Sequence, residues 1–133
     1  MIEDKIKCLL VEPNELPKEI EICKELKAYQ TLVKGDIETA ILPNDCEVVL
    51  ICNDEGKINN MELNRDIGYD IIAGPFLIVG DDYANADFKS LTDEQILKYK
   101  MIFDKNSIIR TQKKIQSINL SNFKNRNERE WER

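Results

Sequence analysis

The stretch Met61–Gly80, MELNRDIGYDIIAGPFLIVG, decides how the rest of the chain is read. It contains Arg65, the only arginine in the first 104 residues, and three of the five glycines, Gly68, Gly74 and Gly80. Its second half, Asp70 to Val79, is rich in the β-branched and large apolar residues of a strand. Pro75 interrupts it. Proline has no amide to donate, so this strand is kinked, lies at a sheet edge, or is two short strands. Ahead of it, residues 57–69 show no clean period and are expected to form a loop with at most one helical turn.

Outward from that stretch the elements are regular. Residues 5–12 read as a first strand that ends at the turn-forming cluster Glu12-Pro13-Asn14. Lys18-Glu19-Ile20-Glu21-Ile22 alternates with period two, as a half-buried strand does. A helix over 24–33 follows from the spacing of Leu26, Tyr29 and Val33, with Gly35 placed for a left-handed C-terminal cap. Strands are expected at 37–42 and 47–53, joined by Pro43-Asn44-Asp45. After Gly80-Asp81-Asp82 a loop leads to a second helix. Thr92 is its N-cap, Gln95 completes a capping box, and Leu91 can staple onto Ile96. Ile96, Tyr99 and Phe103 form its inward face.

Composition bounds the chemistry. One hundred and thirty-three residues make one domain able to bury a core without staples. No apolar run reaches the ~18 residues of a membrane span, and the N-terminus lacks the pattern of a signal peptide. Cys8, Cys23, Cys46 and Cys52 form no CxxC pair and sit in or beside apolar runs, as reduced structural thiols do. The expected compartment is the cytoplasm. There is no histidine, which removes Ser/His and Cys/His dyads, imidazole metal sites and the commonest neutral-pH base. Nothing in the sequence requires a cofactor or a metal. Asp81-Asp82 with Asp87, and Asp54-Glu55, lack the DxDxDG grammar of a calcium loop and read as solvated turns.

Charge is distributed unevenly. Residues 1–104 carry 11 Lys and Arg against 22 Asp and Glu, a net −11, whereas residues 105–133 carry 8 against 3, a net +5. Between Lys105 and Arg126 there are six basic residues and no acidic one, with Ile108, Ile115 and Ile118 on one face of any helix formed there. Residues 128–133 alternate in charge and are expected to fray. The chain therefore divides into an α+β body, 1–104, and a basic C-terminal extension, 105–133.

The order of these pieces resembles a known family. A first strand ending VEP is followed by KEIEI, by Asn53 with Glu55-Gly56-Lys57, by Asn64-Arg65, by Asp70-Ile71-Ile72-Ala73-Gly74 with Phe76, and by LTDEQI. Over about residues 6–103 this resembles an uncharacterised family of small proteins, a domain of unknown function. Such proteins are carried by phages, plasmids and other mobile elements of Gram-positive bacteria. The resemblance implies a setting and no mechanism.

The expected fold is a twisted, mostly antiparallel sheet of about five strands with two helices on one face. The favoured function is a non-enzymatic accessory protein that binds a host protein through its acidic body, as an inhibitor of a defence system would. The alternative is a module for an anionic small ligand, a metabolite or nucleotide, at Asn64, Arg65 and Asp66, with Tyr69, Gly74 and Tyr83 around it. An arginine beside an asparagine can hold a carboxylate or phosphate, while the competing reading ties Arg65 to Asp70 or a backbone carbonyl. Nucleic acid is expected only on the tail, through Arg110, Lys113 and Lys114.

Overall fold

A computed structural model describes residues 4–131, and side chains through residue 121. The strands are β1 (Lys5–Val11), β2 (Lys18–Cys23), β3 (Ile37–Leu42), β4 (Asp45–Asn53), β5 (Leu63–Asp66), β6 (Ile71–Ala73), β7 (Phe76–Asp82) and β8 (Asp87–Lys89). Helix α1 (Leu26–Val33) lies between β2 and β3; α2 (Asp93–Ile102) and α3 (Lys105–Trp131) close the chain. The main sheet runs β2-β1-β7-β4-β3, with β8 extending the far end of β7, and every pairing is antiparallel.

Strand β7 sits at the centre because it can be buried on both sides. Phe76, Leu77, Ile78 and Val79 are all fully buried, and each contributes roughly 1.5–3 kcal/mol by leaving water. Alternation then divides them. Phe76 and Ile78 join Leu9, Val11, Leu50, Ile96, Tyr99 and Phe103 in one core cluster. Leu77 and Val79 join Ile6, Cys8, Ile51, Tyr29 and Val33 in the other. The helices thus cover opposite faces, α1 one and α2 the other. This corrects the expectation of two helices on a single face: a central strand apolar at every position needs cover on both sides.

Pro75 resolves as two strands. β6 pairs with β5 in a separate two-stranded sheet, and the chain turns at Gly74, φ +81°, before entering β7. Residues 63–66, expected as loop, are strand; their irregular register, shifted between Leu63 and Arg65, hides the period. At the end of α1 the left-handed residue is Lys34, φ +66°, one position before the expected Gly35. The α2 capping box is as expected: Thr92 Oγ1 accepts from the Gln95 amide at 3.1 Å, and Gln95 Oε1 accepts from the Thr92 amide at 2.9 Å.

The basic extension begins as part of the body. Asp104 accepts the Ser107 amide at 3.0 Å and so caps α3. Ser107 and Thr111 are buried, and Thr111 Oγ1 accepts the Asp66 amide of β5 at 3.0 Å. The expected fraying of 128–133 lies partly outside the described residues; the helical backbone continues to Trp131.

Candidate functional site

The expected ligand site at Asn64 and Arg65 is buried and occupied by the chain itself. Arg65 is fully buried in β5, and its guanidinium has partners on every nitrogen. Nε donates to Ser107 Oγ at 3.0 Å, Nη1 to Asn64 Oδ1 at 2.9 Å, and Nη2 to the Glu15 carbonyl at 2.5 Å and the Phe103 carbonyl at 3.3 Å. Burial pushes its pKa down while the nearby Asp104 pulls it up. The Phe103 carbonyl is at the C-terminal end of α2, where a cation is favoured. Asn64 Nδ2 donates to the carbonyls of Val11 and Gly74 at 2.8 and 2.9 Å. In this structure Arg65 ties Ser107 and the Asn64 side chain to the backbone carbonyls of Glu15 and Phe103, and Asp70 pairs with Lys57.

The other expected residues are dispersed. Asp66 faces α3, paired with Lys114 at 3.0 Å. Burial alone would raise its carboxyl, but the Gly68 amide and Lys114 outweigh that and hold it below its ordinary value. Gly74 turns the chain at φ +81°, a conformation that side-chain-bearing residues rarely adopt, and an added Cβ would have to displace the flexible end of Met61, 2.7 Å away. Tyr69 is exposed and donates to the Ile41 carbonyl at 2.7 Å. Tyr83 is exposed in the 3-10 turn between β7 and β8 and does not join them. In the tail, Lys114 reaches the body, whereas Arg110 and Lys113 are exposed.

A different place gathers the motif residues. A cleft of about 210 Å³ opens where β4 ends beside β3 and β6. Asn53 shapes it. Its Nδ2 donates to the carbonyls of Val33 and Lys34, at 3.0 and 3.2 Å, so it caps the end of α1, and its Oδ1 accepts the Glu55 amide at 2.8 Å, which turns the chain. Gly56 then passes so close to β6 that an added Cβ would stand 2.7 Å from the Ala73 carbonyl oxygen. Lys57 closes the turn by pairing with Asp70.

The walls of this cleft are acidic. Glu38, Asp54, Glu55 and Asp70 line it against one cation, Lys57, which Asp70 already holds. The Lys57 hydrogen bond outweighs the desolvation of Asp70 and keeps that carboxyl below its usual range. An adjoining hollow adds Asp36 and Lys34. At the floor Cys52 donates to Glu38 at 3.7 Å, and burial first, then that carboxylate, pushes the thiol up to about 12. Such a thiol stays protonated and is a poor nucleophile. Ile58, 78% exposed, forms an apolar lip. The cleft thus sets four carboxylates and one exposed apolar side chain around a single paired lysine. Composition had marked Asp54-Glu55 only as turn carboxylates; Glu38 joins them through the β3–β4 hairpin, and Asp70 through the Lys57 bridge, which has no local signal.

Among the described residues no group of three or more Cys, Asp or Glu side chains is arranged to hold a metal ion, and no helix is long and apolar enough to cross a membrane. No curated protein and no solved structure matches the chain. One family does, over residues 6–104, which takes in β1 through α2 with all four walls of the acidic cleft. On that match the chain belongs to the family described as Domain of unknown function (DUF3846).

Proposed function

We propose that this chain is a non-enzymatic binding protein that docks its acidic body on a basic surface of another macromolecule. The observation that carries the reading is the cleft where Glu38, Asp54, Glu55 and Asp70 surround one neutralised lysine. A protruding arginine or lysine of a partner would find carboxylates for its charge and Ile58 for its stem. Carboxylates set where phosphates would sit also let a protein compete with nucleic acid for a basic groove, with strong dependence on salt. In this reading the chain works in the cytoplasm as an accessory protein of a phage or mobile element. Its target is a host protein, with a defence-system component as the candidate.

The alternative, an anionic metabolite at Asn64 and Arg65, would have to draw Arg65 away from Ser107 and from two carbonyls inside the core. No observation favours that exchange.

The test uses an oligo-arginine peptide as probe in an NMR titration of the full chain. Amide shifts at Asp54, Glu55 and Asp70 that vanish at high salt, and in an Asp54→Lys/Glu55→Lys variant, are the expected result. Shifts spread evenly over the acidic surface, or unchanged in the variant, would remove the cleft from the proposal.

A further inference from the structure

Strand β3 is an open edge of the main sheet. It pairs with β4 on one side, and the bonding pattern there is set by the Asp54 amide, which donates to the Asp36 carbonyl at 2.8 Å. Antiparallel bonding alternates along a strand, so Glu38 and Ala40 also bond toward β4. The N–H and C=O groups of Ile37 and Thr39 therefore point away from the sheet. Among the described residues nothing pairs with them. The Tyr69 hydroxyl, bonded to the Ile41 carbonyl, marks where the free edge ends. Such a row of backbone groups is a template for one more strand.

The side chains beside that edge indicate what the strand carries. Glu38 lines the acidic cleft, where Cys52 donates to it. Among the described residues Glu38, Asp54 and Glu55 have no cation within ion-pair distance, and Lys57 is held by Asp70. The opposite edge of the sheet differs. Along β2, Lys18 pairs with Glu12 and Glu15, and Glu19 with Lys7, so its charges are met within the chain. We infer that β3 takes an extended segment of the partner as an added antiparallel strand, with an arginine or lysine opposite Glu38. Opposite residues of neighbouring strands project to the same face, so that side chain enters the cleft. The residues on either side of it project to the other face, and their backbone groups bond to Ile37 and Thr39. Proline is excluded from those two positions, because their amides donate. This strand addition depends on the acidic cleft being the docking site of the proposed function. A second copy of this chain is the poorer occupant, because β3 laid against β3 sets two acidic clefts side by side.

The probe is the end-blocked peptide Thr-Val-Arg-Val-Thr, titrated into the full chain and followed by NMR beside an analogue N-methylated at both valines. The two peptides share charge and side chains and differ at the backbone donors that meet Ile37 and Thr39. The unmethylated peptide should move the amides of Asp54 and Glu55 and slow solvent exchange at Ile37 and Thr39. It should bind roughly tenfold or more tightly than the analogue. Equal affinity for the two peptides, with Asp54 and Glu55 still moving, overturns strand addition and leaves the cleft as the docking site. Shifts at Ile37 and Thr39 without the cleft overturn the placement of the cation. A peptide that moves neither removes the cleft itself, and the added strand with it. A dimer of the free chain closed through β3 overturns the inference as well.

Discussion

Arg65 Nε donates to Ser107 Oγ at 3.0 Å across 42 residues of sequence, and this bond joins the small β5–β6 sheet to the first turn of α3. The same guanidinium holds the β1–β2 connection through Glu15 and the end of α2 through Phe103. A single side chain therefore fixes four segments.

Replacing Arg65 should destabilise the whole domain. Arg65→Ala leaves buried acceptors without donors, at about 1–3 kcal/mol each, so a total loss on the order of 3–5 kcal/mol is expected. Arg65→Lys should recover only part of this, because an ammonium cannot replace a planar fork. Urea unfolding reads both. An Arg65→Ala protein as stable as the parent would disprove the strut.

Truncation after residue 104 should likewise behave as a core mutation. It removes Ser107 and Thr111, both buried, and exposes the surface of β5. Expected results are a lowered melting temperature and faster amide exchange at Arg65 and Asp66, although the family match ends at that same residue.

The cleft turn depends on close approach. Gly56→Ala should cost about 1–3 kcal/mol, because the new Cβ must displace the Ala73 backbone. Asn53→Ala loses two bonds to the end of α1 and should cost a similar amount. If both variants melt with the parent, the loop is less tightly built than the contacts imply.

Acid should loosen α3. The Asp66 carboxyl lies below its ordinary 3.8 in the folded chain, so its contribution is complete above that value. It is lost as pH falls through the lower, folded value. Asp66→Asn should flatten this part of the profile. Hydrogen exchange at Lys113 and Lys114, followed from neutral pH to below 3.8, measures it; an identical profile in Asp66→Asn would discount the pair.

Much of the framework was legible because it is local. β3 and the Thr92 capping box follow from period and cap chemistry. The two-sided cover of the sheet was missed, although the unbroken runs Val48-Val49-Leu50-Ile51 and Phe76-Leu77-Ile78-Val79 do not alternate as a one-sided sheet would. Arg65 stands out in the sequence as the one arginine of the body, but nothing local distinguishes an arginine facing solvent from one facing two backbone carbonyls and a hydroxyl. Those partners come from residues 15, 103 and 107. The acidic cleft is equally non-local, since Glu38 and Asp70 are 32 positions apart in sequence and meet only through the fold.

The position of β7 has a further consequence, for the order of folding. The strand at the centre of the sheet is late in the chain, after both hairpins that flank it have been synthesised. Until residues 76–82 arrive, β1–β2 and β3–β4 each present an open edge toward a gap that nothing fills. Closing the sheet requires β7 to pair with β1 and β4 across long sequence separations, the kind of contact that slows folding, and an unpaired strand edge is the hazard along the way.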